Sequence, residues 1–229
     1  MIITIDGPAG TGKTTVAKSV AEELGFTYLD TGAMYRALTY GIISKNINAD
    51  DLDALQAFLD TFPVTMKSHL GEKRFFLGEE DVTDKIRTNG VTQLVSKISA
   101  FKVVRDKLVE TQREIASGVN AVVEGRDMGT VVFPHANLKI FLTADPRVRA
   151  ERRYKELKEK NPDDASITVE WVLEDINRRD AYDAGRDISP MKPADDAVII
   201  DTSALSIDDV INRVIVLKEK GETKSRYQS

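Results

Sequence analysis

The sequence predicts an α/β fold, a parallel sheet with helices on both faces that is interrupted by a small β/α insert. Three observations predict it. Gly7-Pro8-Ala9-Gly10-Thr11-Gly12-Lys13-Thr14 fits the phosphate-loop pattern G-x-x-x-x-G-K-[ST]. It lies between the apolar run Met1-Ile2-Ile3-Thr4-Ile5 and a helical pattern, the context that motif requires. Apolar strands at 26–30, 120–124, 138–142 and 197–201 alternate with helical stretches, as in a parallel sheet covered on both sides. Between about 62 and 117 the period changes to short strands followed by two helices. The sheet is therefore expected to be of P-loop NTPase type, with ligands at the carboxyl ends of its strands.

At 229 residues, 41% hydrophobic and 30% charged, the chain suits one soluble domain. The expected division is a core of 1–61 and 118–220, an insert at about 62–117 and a mobile lid at about 154–165. Lys+Arg 32 against Asp+Glu 37 gives a net charge of −5, so no global field attracts nucleic acid or an anionic membrane. The absence of cysteine removes disulfides, thiol catalysis and thiolate metal sites, and suits a reducing cytoplasm. Met1 leads straight into a strand and no run of about 18 apolar residues occurs, so neither export nor a membrane span is expected. The expected state is a cytoplasmic monomer.

In chain order, Val16, Ala17, Val20, Ala21 and Leu24 recur at helical spacing after the loop, and Gly25 supplies a stop. Phe26 to Asp30 reads as a short buried strand. Thr31-Gly32 turns the chain into a helix near 33–45, with Arg36 on the face opposite Met34, Ala37 and Leu38. A short acidic helix spans 51–60. The segments 62–66 and 74–77 then read as a hairpin about Ser68-His69-Leu70-Gly71-Glu72, with 80–82 a third strand and helices at 90–99 and 101–117. The strand at 120–124 ends in Gly125-Arg126-Asp127. Asp145-Pro146 caps a helix that becomes the charged stretch 154–164, broken at Asn161-Pro162, and another helix runs from about 167 to 184. Ser206-x-x-Asp209 caps the last helix, and the tail beyond Gly221 is expected to fray.

The chemistry follows from where the charges fall. Backbone N–H groups of the loop, Gly7 through Thr15, surround nucleotide phosphates, Lys13 reaches their terminal oxygens and the Thr14 hydroxyl can ligate Mg²⁺. Glu124, ending a buried strand, could hold Mg²⁺ through water or pair with Lys13. Arg36 and Arg126 follow strand ends, Arg149, Arg152 and Arg153 share one face of the helix that begins at Pro146, and Arg179, Asp183 and Arg186 are spaced i, i+4, i+7. So many guanidinium groups near a phosphate loop suit phosphoryl transfer, in which the protein positions two anions and offsets moving charge. Asp127 could accept from an exocyclic amine, as Asp does from cytosine N4, or pair with a neighbouring arginine. His69 and His135 lack metal-ligand spacing, and Trp171 is expected in the core.

These stretches together resemble the bacterial cytidylate kinases of the nucleoside monophosphate kinase class. The resemblance lies in Ile5-Asp6-Gly7-Pro8 through Thr14, Leu29-Asp30-Thr31-Gly32-Ala33-Met34-Tyr35-Arg36, Asp84 to Thr88, Glu124-Gly125-Arg126-Asp127-Met128-Gly129-Thr130-Val131-Val132-Phe133-Pro134, Arg179-Asp180 and Pro193 to Ala197. It implies phosphoryl transfer from ATP to CMP or dCMP with Mg²⁺, the insert binding the monophosphate. Ser96, Arg105 and Asp127 would read cytosine, Arg36, Arg126 and Arg186 would hold the acceptor phosphate, and Arg179 and Asp183 the sugar. Thr31 would join the acceptor site, and Lys13, Arg126, Arg153 and Arg186 would be catalytic. Thr31 stands where many members have Ser and Glu124 where some have Asp, each keeping the functional group. The alternatives are a P-loop kinase for another monophosphate or small acceptor, or a nucleotide-dependent switch. The base-reading set disfavours uracil, and no guanine-reading Asn-Lys-x-Asp is present.

Overall fold

The computed structural model describes residues 1–62, 64–69 and 72–226, with the backbone alone for 64–69, 72–73 and 222–226. In chain order the elements are β1 (Ile2–Asp6), α1 (Lys13–Leu24), β2 (Thr27–Asp30), α2 (Thr31–Ser44), α3 (Leu52–Asp60), β3 (Val64–His69), β4 (Glu72–Leu77), β5 (Glu80–Asp81), α4 (Asn89–Ile98), α5 (Lys102–Ala116), β6 (Ala121–Gly125), β7 (Leu138–Thr143), α6 (Pro146–Lys160), α7 (Val169–Ala184), β8 (Val198–Asp201) and α8 (Ile207–Arg226). The chain forms two compact units, Met1–Leu29 with Ala116–Ser229, and Asp30–Ile115. The second unit holds α2 and α3 together with most of the 62–117 segment.

The first unit is built on a five-stranded sheet of order β2-β6-β1-β7-β8. The pairings of β1 with β6, β1 with β7 and β7 with β8 are parallel. Because Ile5 faces Glu124 and Asp6 faces Gly125, the phosphate loop and the Gly125-Arg126-Asp127 segment leave from adjacent strand ends. All five residues of β6 are buried, which explains the apolar run Ala121-Val122-Val123 that precedes Glu124. Ile3, Ile5, Val122, Ile140 and Leu142 pack with Val16, Val20, Val210 and Val214 into one core. A second cluster, Ala150, Ile167, Val172 and Ile176, joins α6 to α7.

Helix ends follow local chemistry. Gly25 closes α1 in the left-handed region, its N–H bonded to the Ala21 and Glu22 carbonyls. The Asp145 carboxylate accepts from the Arg147 and Val148 N–H groups ahead of Pro146, and Thr168 accepts from Trp171 N–H at the start of α7. Ser206 and Asp209 form the reciprocal box. Two expectations are corrected. Asp30 accepts from Ala33 N–H at 2.8 Å, so Thr31-Gly32 is the first turn of α2 rather than a turn before it. Helix α8 continues through Gly221 to Arg226, and only the last three residues of the expected fraying tail lie outside the described residues.

The second unit carries an antiparallel sheet of order β3-β4-β5, with Val64 facing Leu77 and His69 facing Glu72. Pro63, Leu70 and Gly71 of the expected hairpin lie outside the described residues. In α2, a Cβ on Gly41 would meet Phe58 Cζ at 2.6 Å, so only glycine lets α3 lie this close. Among the described residues no helix is long and apolar enough to cross a membrane.

Candidate active site

The phosphate loop is shaped by its glycines. Gly7 has φ 142°, and a Cβ there would lie 2.1 Å from the Leu142 carbonyl oxygen; Gly10 has φ 77° and would press on the Arg149 carbonyl at 2.8 Å. Thr11 Oγ1 and Lys13 Nζ both donate to the Pro8 carbonyl, at 3.1 and 2.6 Å. Burial and then the Arg126 charge push the Lys13 ammonium down to about 7, against the pull of Glu124, Asp180 and Asp6.

The apex of the loop is clamped. Ala9 N–H donates to Asp180 Oδ1 at 3.1 Å, and the Ala9 carbonyl accepts from Arg149 Nη1 at 3.0 Å. Arg149 also pairs with Asp180 and donates from Nε to the Ala144 carbonyl at 3.1 Å. Arg152 is likewise engaged, with Thr202 Oγ1 at 3.0 Å and the Thr202 carbonyl at 2.6 Å. Of the three arginines that the sequence placed on one face for anions, two thus hold the protein together. Arg153, paired with Glu156 at 2.7 Å, stays partly exposed. No local sequence pattern could reveal Asp180 as the partner of a residue 171 positions earlier.

Thr14 Oγ1 donates to Glu124 Oε2 at 3.0 Å, and the Tyr28 hydroxyl donates to Glu124 Oε1. Thr14 and Tyr28 are therefore direct partners of Glu124, whose charge also acts on Lys13. In the sequence Tyr28 reads as a strand residue alone. Among the described residues no group of three or more carboxylate or histidine side chains comes together as a metal cage.

A second cluster surrounds Asp183, buried near the end of α7. One carboxylate oxygen accepts from Arg126 Nε at 3.1 Å and the other pairs with Arg186, while its main-chain carbonyl accepts from Met191 N–H at 2.9 Å. Arg179 lies 3.9 Å from Asp175, and its Nε is buried with no hydrogen-bond partner among the described residues. Burial, followed by the charge of Arg126, makes the charged form of Arg179 costlier than usual. Arg126 and Arg186 are thus gathered in one unit on Asp183, with Arg179 near Asp175 and electrostatically coupled to Arg126 and Asp183. Asp127, next to Arg126 in the chain, is 2% exposed.

The second unit carries the remaining predicted residues. Thr31 is buried at the start of α2. Arg36 Nη1 donates to Thr92 Oγ1 at 2.9 Å and to the Ile86 carbonyl at 3.5 Å. Arg105 is 3% exposed, bonded to the Ser99 carbonyl at 3.4 Å with its guanidinium 5.7 Å from the Tyr35 ring centroid. Ser96 is half-buried on α4, one turn before Ser99.

The sequence model of the cytidylate kinase family matches residues 3–220. The chain is 54% identical to a cytidylate kinase of Protochlamydia amoebophila over 225 residues, 98% of this chain and 99% of that one. It is 46% identical to a cytidylate kinase of Fusobacterium nucleatum over 220 residues, covering 96% and 98%. The chain belongs to the cytidylate kinase family. As a cytidylate kinase family member it is a phosphotransferase of the nucleoside monophosphate kinase class. A solved structure of an uncharacterized protein from Eubacterium ventriosum shares the fold, with a TM-score of 0.51 at 13% identity over 96% of this chain and 98% of that one.

Proposed function

We propose a division of labour for the reaction of this cytidylate kinase, transfer of the γ-phosphoryl group of ATP to CMP or dCMP to give ADP and CDP or dCDP. Backbone N–H groups between Gly7 and Thr15 hold the donor phosphates, except that Pro8 has none to offer and Ala9, bound to Asp180, fixes the loop instead. Lys13 moves from the Pro8 carbonyl to the β and γ oxygens, whose charge stabilises its ammonium. Thr14 and Glu124 are hard oxygen groups 3.0 Å apart, a donor set that fits Mg²⁺, with Glu124 reaching it through water. When bound, that ion offsets charge on the donor phosphate oxygens.

Arg126 and Arg186, with Arg36, hold the acceptor phosphate; Arg126, Arg186 and Arg153 also neutralise charge on the moving group. Asp183 aims Arg126 and Arg186 and keeps lone pairs for a sugar hydroxyl, beside Arg179. Ser96, Arg105 and Asp127 read the base. The stretch 154–165, ending past the Asn161-Pro162 break, closes as a lid and excludes water. The absence of cysteine supports action in the cytoplasm, and a monomer is sufficient for every role named.

The observation that carries this reading is the arginine cluster about Asp183, whose buried, unpartnered Arg179 Nε calls for an anion or a hydroxyl. A coupled assay of ADP release across nucleoside monophosphates tests it. CMP and dCMP are expected to exceed UMP in kcat/KM by on the order of 10²–10⁴, because uracil presents a carbonyl to Asp127 and an N–H to a donor. Equal rates for CMP and UMP would remove the base-reading role.

A further inference from the structure

Asp6 is the last residue of β1, joined directly to the phosphate loop, and only 4% exposed. Its two carboxylate oxygens accept from the backbone N–H groups of consecutive residues, Met128 at 2.9 Å and Gly129 at 2.8 Å. Those residues open a wide π turn over Met128–Val132, in which Val132 N–H bonds the Asp127 carbonyl at 3.3 Å and Phe133 N–H the Met128 carbonyl at 2.7 Å. The far end of the segment is tied by buried Lys139 of β7, whose Nζ donates to the Pro134 carbonyl at 2.6 Å and to Asp196 at 2.8 Å. Between the ties lies Gly129. A Cβ there would stand 3.0 Å from Thr4 Oγ1, 3.2 Å from Lys139 Cδ and 3.4 Å from Asp6 Oδ2, so the segment rests directly on the sheet.

We infer that Asp6 is a positioning residue, which fixes Arg126 and Asp127 by holding the next two N–H groups and so makes the donor loop and the acceptor segment one rigid piece. The inference rests on the assignment of Arg126 and Asp127 to the acceptor. Among the described residues no cation touches the Asp6 carboxylate directly. Its burial pushes it up to about 6, with Asp127 adding to the rise and the two N–H groups and Lys13 opposing it. Stability alone gives no reason to keep an anion here. Geometry does, because two adjacent N–H groups need two acceptors side by side, and an asparagine would turn its NH₂ toward one of them.

The test is Asp6→Asn, assayed with ATP and CMP varied separately and with thermal melting alongside. The expected result is a near-unchanged melting temperature, a KM for CMP raised about tenfold with a lower kcat, and a KM for ATP within about threefold of the parent. Gly129→Ala, which leaves every charge in place and lifts the same segment, should show the same split and carries the test should Asp6→Asn fail to fold. Equal losses toward both substrates, or none toward CMP, would overturn the inference. Arg126→Ala separates the two layers: if it too leaves the KM for CMP unchanged, the acceptor assignment itself falls.

Discussion

Asp6 shows how a residue can serve function at the expense of the fold. Its pKa is raised from 3.8 to about 6, so the folded state favours the neutral form. The sign follows: the stabilisation from its protonation is fully present below 3.8 and is lost as pH rises through 6. Between pH 8 and pH 5 the chain is expected to gain about 1 kcal/mol from this group. The measurement is the difference in melting temperature between the parent and Asp6→Asn at each pH, which cancels the titration of other groups. A constant difference would place the Asp6 pKa in the ordinary carboxylate range. Protonation also removes one acceptor, so the acid form is more stable yet holds Met128 and Gly129 less well.

At the scale of elements, α6 and α7 reach the phosphate loop through Arg149 and Asp180, which bind the carbonyl and the N–H of Ala9. Asp180→Asn keeps the shape but removes the charge that pairs with Arg149. It is expected to raise the KM for ATP about tenfold and the KM for CMP much less, and an equal rise in both would make the pair a general structural tie. The phosphate loop, the strands and the Ser206 box were legible because their signals are local: fixed glycine spacing, apolar runs and reciprocal caps. Asp180, Tyr28 and Asp6 were not, because a hydrogen bond across 171, 96 or 122 positions leaves no periodicity in the chain. The same limit explains Arg149 and Arg152, whose helical spacing was correct while their partners were protein carbonyls, a hydroxyl and a carboxylate. Trp171 failed for another reason. It sits in the first turn of α7, where Val172 and Ile176 take the buried face, and it is 48% exposed instead of in the core.

For the molecule as a whole, the groups assigned to phosphate are concentrated in the unit that carries the loop, while Ser96 and Arg105 belong to the other. Chemistry that needs both substrates is expected to wait for both. ATP hydrolysis without CMP should run at a small fraction of the transfer rate, since a site still open to water has not assembled its acceptor groups. Phosphate release from ATP alone, compared with ADP release in the presence of CMP, decides it, and equal rates would favour a simple ATPase. The exposed Trp171 gives such experiments a second readout. It is the single tryptophan of the chain, three residues beyond the Thr168 cap that ends the segment after Asn161-Pro162. Its indole emission therefore belongs to one site, and a change in its colour or quenching on adding nucleotide would report the surroundings of that segment in the unlabelled protein.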